Sequence, residues 1–95
     1  MFNPEARWDR KFPGEDEIIR EKIEVYAFFQ KGKVYPRVFI YKGREYRIKK
    51  ITYYWREKKG EEVLHYFASL VGEDLYYLCF SSHTLSWTLI IPWRE

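Results

Sequence analysis

Apolar and polar residues alternate along most of the chain with a period of two, which is the pattern of β-strands that bury one face. The last segment shows it most clearly, because Trp87, Leu89 and Ile91 alternate with Ser86 and Thr88. Short polar or glycine-containing segments separate such stretches, as turns do. The predicted strands, in chain order, cover residues 22–30, 34–41, 44–56, 63–71, 75–80 and 85–91.

The residues before the first predicted strand allow two interpretations. Ile19, Ile23 and Tyr26 have helical spacing, and Asp16 could cap such a helix. The alternation that starts near residue 22 and the strand preference of Val, Tyr and Phe favour a strand instead. We therefore predict a strand over residues 22–30, and the pattern leaves residues 17–22 open between a helical turn and a strand.

The segment of residues 35–56 is predicted to form a bent hairpin. Gly43 can adopt a positive φ, so Lys42-Gly43 is a credible tight turn. Pro36 cannot donate to a β-ladder, which places the start of its strand at a sheet edge. Beyond the turn, the apolar positions change parity, from Tyr46 and Ile48 to Ile51, Tyr53 and Trp55. Because one extra residue would return all of these to one face, we predict a β-bulge near Lys49-Lys50.

The regular spacing of strands and turns indicates the fold class. Five or six short strands without a long helix predict an all-β antiparallel meander. Such a sheet must close or be covered to protect its edges, so we expect it to curl into a small barrel or half-barrel. Residues 1–16 show no regular period and are predicted to be an extended N-terminal arm. Residues 17–95 are predicted to form the single β domain.

The composition adds expectations about the core and the environment. Aromatic residues make up 21% of the 95 residues, so rings should build much of the core. Charged residues make up 33%, and Asn3 and Gln30 are the only side-chain amides, a bias that resembles proteins of hot environments. Cys79 is the single cysteine, and no stretch has the length and apolarity of a signal peptide or a membrane span. We expect a cytoplasmic protein with no membrane association.

The residues that carry catalytic chemistry are few and scattered. The chain has His65, His83 and Cys79, a set that cannot form a closed zinc site by itself. His83 fits a polar turn better than a serine–histidine site, and His65 fits a solvent-side or hydrogen-bonded strand position. The glycines stand singly in turns rather than in a phosphate-binding loop. We therefore predict no catalytic activity, no cofactor and no metal site.

Positive charge is concentrated in the central third of the chain. Residues 31–59 contain eleven of the seventeen Lys and Arg residues and only two acidic residues, whereas both flanking regions carry net negative charge. Aromatic residues are interleaved with these cations, so the segment combines groups that neutralise phosphates with rings that can stack on unpaired bases. The candidate nucleic-acid-binding residues are Arg37, Arg44, Arg47, Lys49, Lys50, Tyr54, Trp55 and Arg56.

Part of the apolar and basic pattern is shared with a known family. The positions that carry the likeness are Pro36-Arg37-x-Phe39-x-Tyr41-x-Gly43-Arg44-x-Tyr46-x-Ile48-x-x-Ile51-x-x-x-Trp55, followed by Tyr66-Phe67, Tyr76-Tyr77-Leu78 and Leu85-Ser86-Trp87-Thr88-Leu89. Over about residues 20–91 the chain resembles an uncharacterised small domain. That domain occurs alone in bacteria and at the C-terminus of some catalytically inactive relatives of Y-family translesion polymerases. The resemblance implies a link to DNA-repair accessory proteins and supplies no catalytic residues.

Three functional hypotheses follow, of which the third, a ring-lined cavity that holds a small apolar ligand, rests on the aromatic content alone and ranks last. The first is a non-catalytic accessory module that binds single-stranded DNA or RNA through the basic and aromatic hairpin. The second is a protein-interaction module, either a homodimer or a docking domain for a polymerase-like partner, which would use the edge at Pro36 and surplus rings such as Tyr26 and Phe28.

Overall fold

The computed structural model describes residues 18–92, and every regular element in that range is a β-strand. The predicted all-β class is confirmed, whereas the predicted arm of residues 1–16 lies outside the described residues. The first strand starts at Ile18 rather than near Lys22, so residues 18–22, which the sequence left open between a helical turn and a strand, belong to the strand. The strands are β1 (Ile18–Gln30), β2 (Lys33–Tyr41), β3 (Arg44–Arg47), β4 (Lys50–Lys59), β5 (Glu62–Val71), β6 (Asp74–Ser81) and β7 (Ser86–Pro92).

The seven strands form one antiparallel sheet in the order β3-β2-β1-β7-β6-β5-β4. The long strand β1 joins its two halves, because residues 18–23 pair with β7 and residues 24–30 pair with β2. The sheet curls about β1 into a half-barrel, as predicted. The curl brings the two edge strands, β3 and β4, close together, so that a connection of only two residues joins them.

The predicted third strand, residues 44–56, is divided between those two edges. β3 pairs with β2, whereas β4 pairs with β5 on the other half of the sheet. Between them, the Ile48 amide donates to the Arg37 carbonyl at 2.8 Å and the Lys49 amide donates to the Leu70 carbonyl at 2.6 Å. Each half of the sheet therefore holds one end of the connection. Because the predicted strand is divided into β3 and β4, the sheet has seven strands instead of the predicted five or six.

The bulge prediction near Lys49-Lys50 is also wrong in position. The register shift in β4 lies between Ile51 and Tyr53, so that the intervening Thr52 is the extra residue. Its hydroxyl donates to the Ala68 carbonyl at 3.2 Å. Because the extra residue reverses the parity, Ile51 packs in the main core while Trp55 packs on the opposite face of the sheet.

The tight turn at Lys42-Gly43 is confirmed. Both residues have positive φ, 53° and 74°, the backbone of a two-residue hairpin whose twist matches that of its strands. The expected edge position of Pro36 also agrees with the pairing, since β3 pairs with β2 only over residues 38–41.

Aromatic residues fill the core, as predicted. Inside the half-barrel, Phe39 is fully buried and stacks on Tyr46 with ring centroids 4.7 Å apart. Around it are Phe67, Leu78, Phe80, Trp87 and Leu89. A second buried cluster, made of Leu64, Tyr66, Cys79 and Ile90, lies on the other face of β5, β6 and β7, with Trp55 and Tyr77 packed against it. These three strands are thus buried on both faces.

Candidate nucleic-acid interface and adjoining cleft

The outward face of β1 carries two exposed rings. Ile23, Val25 and Ala27 point towards the core, so the alternate positions Tyr26 and Phe28 point to solvent. Their side chains are 62% and 50% exposed, high values for large apolar groups in the middle of a strand. Exposure of this kind on neighbouring strand positions marks a contact surface more often than isolated exposed residues do.

The pairing of β1 with β2 and β3 extends this surface. Phe28 is directly opposite Tyr35 on β2, with ring centroids 6.3 Å apart, and Tyr35 is 39% exposed. One position along, Tyr26 pairs with Val38, which pairs in turn with Arg47 on β3. Facing residues of paired strands share one side of the sheet, so Arg47 stands on the same side as the rings.

Arg37 joins the same surface through a bulge in β2. Pro36 pairs with Ala27 and Val38 pairs with Tyr26, which leaves Arg37 as the extra residue. Its exposed side chain lines a shallow groove of about 350 Å³ together with Tyr26, Ala27 and Phe28. We call the surface formed by Tyr26, Phe28, Tyr35, Arg37 and Arg47 the ring face.

A second feature, which we call the cleft, opens where β2 and β4 diverge. β3 pairs with only the last four residues of β2, and β4 leaves to pair with β5, so the beginning of β2 lies across a gap from β4. The gap measures about 610 Å³, within the range of small-molecule sites. One wall is formed by Gly32, Lys33, Val34 and Tyr35, and the other by Ile51, Tyr54, Arg56, His65 and Phe67.

A hydrogen-bonded pair of side chains stands in the second wall of the cleft. The hydroxyl of Tyr54 lies 2.7 Å from Nδ1 of His65, and the two rings are close to parallel at 18° with centroids 5.9 Å apart. Burial, and to a lesser extent the positive charge of Arg56, lowers the pKa of His65. Burial raises the pKa of Tyr54, and Arg56 opposes that change. At neutral pH, then, the hydroxyl can donate to a neutral imidazole that carries its proton on Nε2.

The structure distributes the eight predicted site residues over several places. It brings Arg37 and Arg47 together on the ring face and Tyr54 and Arg56 together in the cleft. Lys49 and Lys50 lie exposed at the bend between β3 and β4.

The other two residues lie away from both features. The Arg44 guanidinium lies over Tyr46, 5.8 Å from the ring centroid, on the side opposite Arg47. The Trp55 indole stacks on Tyr66 with centroids 5.2 Å apart.

The sequence predictions leave several residues of the two features out of the site. They place Tyr26 and Phe28 in protein contacts and His65 at a solvent-side or hydrogen-bonded strand position, and they give Tyr35 and Lys33 no role. The alternation in β1 contains the signal for the first two, because a strand that buries Ile23 and Val25 must expose its even positions. No local signal identifies Lys33, because only the fold places its turn opposite β4.

The groups with catalytic or metal-binding potential are dispersed in the part of the chain that the structure describes. Within residues 18–92, no cluster of three or more His, Cys, Asp or Glu side chains could hold a metal ion. Cys79 is buried, and burial raises the pKa of its thiol. His83 is exposed in the turn before β7, where its backbone amide donates to the Ser81 hydroxyl at 3.2 Å.

The same described range contains no helix with the length and apolarity needed to cross a membrane.

No protein-family model, no curated protein and no solved structure matches this chain.

Proposed function

We propose that the protein is a non-catalytic module that binds single-stranded DNA or RNA on the ring face. The observation that carries the proposal is the grouping of three exposed rings with two arginines on three adjacent strands. Rings of this kind stack on unpaired bases whatever their sequence, and arginines neutralise the phosphates between them. Flat antiparallel sheets with exposed aromatic residues bind single strands in this way in other folds.

The charges around the ring face favour one region for the strand. The register places Glu24, Ile40 and Glu45 in one row across the three strands, next to the row of Tyr26, Val38 and Arg47. Two carboxylates at that end would repel phosphates. The bound strand should therefore run from Tyr26 and Arg47 towards the end that holds Phe28, Tyr35 and Arg37, and stop short of the two carboxylates.

The resemblance noted in the sequence suggests a biological setting for this activity. A domain akin to those attached to inactive polymerase relatives could hold single strands during DNA repair. A polymerase-like protein would then be its partner, and we include that partner in the proposal.

A protein contact through the same surface is the second candidate. Tyr26 and Phe28 are apolar enough for a homodimer or a docking interface, and the half-buried Val38 and Ile40 lie beside them. In that case the rings would meet protein rather than bases, and oligonucleotides would not compete for them.

Binding of a fluorescein-labelled twelve-residue oligo(dT), followed by anisotropy at several salt concentrations, tests the first candidate. Arg37→Gln and Arg47→Gln should each weaken binding and reduce the log–log salt slope by about 0.7, the value for one single-strand phosphate contact. Arg44→Gln removes the same charge on the other side of the sheet and should leave the slope unchanged. Tyr26→Ser should cost about 1–3 kcal/mol of binding energy, as the loss of one stacked base does.

The control for the ring variants is Leu75→Ser, which removes an exposed apolar side chain, 48% exposed, from β6. Absence of binding at low salt would reject the nucleic-acid proposal. Light scattering then separates the alternatives, because a homodimer should dissociate in the Tyr26→Ser and Phe28→Ser variants but not in Leu75→Ser.

A further inference from the structure

The charged groups of the cleft are of one sign. Lys33 stands on one wall and Arg56 on the other, and the described residues that line the cleft include no carboxylate. Both cations are exposed, so their charged ends can reach a ligand between the walls. A negatively charged group in the cleft would therefore meet an opposite charge from either side.

The surfaces between these cations are suited to a flat ring. Tyr35 and Tyr54 are 39% and 43% exposed, one on each wall, while the nearly buried Phe67 lies 5.1 Å from Tyr54 between ring centroids. Val34 and Ile51, both partly buried, complete an apolar lining. An aromatic ligand would exchange water for these surfaces and could stack on Tyr54.

We propose that the cleft is a binding site for a small aromatic anion, a planar ring that carries a phosphate or a carboxylate group. The ring stacks on Tyr54, and the anionic group pairs with Arg56 and Lys33. Tyr35 borders both features, whereas Tyr26, Phe28, Arg37 and Arg47 do not line this cleft, so the cations that would bind the anion are separate from those of the ring face.

The Tyr54–His65 pair supplies the polar recognition in this site. With Nδ1 accepting from the tyrosine hydroxyl, Nε2 is left as a donor for a ring nitrogen or a carbonyl oxygen of the ligand. The neutral imidazole also avoids adding a third positive charge beside Lys33 and Arg56. Protonation of His65 at lower pH would add that charge and strengthen the binding of an anion.

Titration of the ¹⁵N-labelled full chain with AMP, monitored by amide NMR shifts, tests the proposal. Adenosine is the matched probe without the negative charge, and 2-naphthoate is the probe that carries a carboxylate in place of the phosphate. We expect AMP or 2-naphthoate to shift the amides of Lys33, Tyr54 and His65, with adenosine at least about tenfold weaker than AMP where AMP binds. The more tightly bound of the two anions identifies the preferred charged group.

Substitutions of the cleft residues test whether the anion binds in the cleft. Arg56→Gln should weaken the bound anion about tenfold and leave adenosine within about twofold, and Lys33→Gln should act in the same direction. Tyr54→Phe keeps the stacking ring but loses the hydroxyl that sets the proton of His65 on Nε2, so it should weaken binding less than Tyr54→Ala does. Arg44→Gln is the control for net charge, since Arg44 lies away from both features, and it should bind like the wild type.

Three results would overturn the proposal. The first is that neither anion binds at millimolar concentration. The second is that the shifts fall on Tyr26 and Phe28 instead of the cleft. The third is that Arg56→Gln and Lys33→Gln both bind like the wild type in spectra that show folded protein. None of these results depends on whether oligonucleotides bind the ring face.

Discussion

The hydroxyl of Tyr54 lies 2.7 Å from Nδ1 of His65, which joins two neighbouring strands by a side-chain hydrogen bond at the wall of an open cleft. Tyr54 and His65 are not directly opposite each other, because Tyr54 pairs with Phe67 and His65 pairs with Arg56. The bond is therefore a diagonal contact on one face of the sheet. It connects the cleft to the core, since the His65 ring also lies 6.0 Å from the ring of the buried Phe80.

We predict that the stability of the fold decreases at acidic pH through His65. Its pKa in the folded protein is below 6.5, the ordinary value of an unfolded chain, because burial and Arg56 disfavour the imidazolium. As pH falls, the unfolded chain binds the proton first. The contribution of His65 is therefore complete above about pH 6.5 and is lost as the pH falls through the folded pKa.

Urea unfolding between pH 4 and pH 8 measures this contribution as the difference between the wild type and His65→Gln. The difference should shrink as the solution becomes acidic. His83→Gln removes the other histidine and should lose stability at acidic pH to the same extent as the wild type. An equal effect of His65→Gln at every pH would show that its ring is not the titrating group.

A second prediction concerns the electrostatic part of the same shift. Arg56→Gln removes a positive charge that disfavours protonation, so the pKa of His65 should rise. It should remain below 6.5, because burial is the larger cause and is unchanged by the substitution. The chemical shift of the His65 ring Cε1 proton, followed against pH, reports the value directly.

Arg47→Gln is the matched control for this measurement, since it removes the same charge from β3, away from the cleft. A pKa that does not change in Arg56→Gln would mean that solvent screens the arginine fully at this distance.

The strands and their turns could be predicted from sequence because both depend on local residues. Trp87 and Leu89 alternate with polar neighbours and are buried, at 8% and 2% exposed. Lys42-Gly43 forms a tight turn because glycine accepts the required positive φ without strain. The alternation and the turn signal each lie within about ten consecutive residues, so the sequence alone reveals them.

Which residues form the site could not be predicted in the same way, because the extra residue Thr52 in β4 reverses the direction in which the residues after it face. Tyr54 and Trp55 are both candidates for stacking on bases in the sequence, but consecutive strand residues face opposite sides, so only one of them can lie on a given face. Only the pairing with β5 decides that Tyr54 faces the cleft and Trp55 faces Tyr66. That pairing joins residues more than ten positions apart in the chain, so the position of the extra residue Thr52 has no local signature.

The aromatic core gives a third prediction. Phe39 is fully buried, stacks on Tyr46 and lies 5.4 Å from the ring of Tyr76 between centroids. Phe39→Ala should cost about 3–5 kcal/mol of unfolding free energy, through lost burial and the cavity that remains. Small domains have about 5–15 kcal/mol in total, so the variant should unfold at much lower urea concentration.

The control is Phe28→Ala, which makes the same substitution on the ring face, where the side chain is 50% exposed. It should cost less than half as much as Phe39→Ala. Comparable losses in the two variants would indicate that the ring face is buried in solution, as a dimer interface would be.

The fourth prediction uses the turn that connects β6 to β7. Leu85 has a φ of 58° and is 73% exposed, so it combines a left-handed backbone with little packing. For a branched side chain this conformation costs about 1–2 kcal/mol, because Cβ approaches the following carbonyl oxygen. The turn holds it there by other contacts: the Leu85 amide donates to the Ser81 carbonyl at 2.8 Å, and the Thr84 amide donates to the Ser81 hydroxyl at 3.2 Å.

Leu85→Asn should therefore stabilise the protein by up to about 1 kcal/mol, since asparagine tolerates the left-handed region and no buried contact is lost. The urea midpoint should rise with no change in the slope of the transition. Leu75→Asn makes the same substitution at an exposed position of a strand, where asparagine is disfavoured, and should give no gain. A lower midpoint in Leu85→Asn would show that packing of the leucine outweighs the backbone strain.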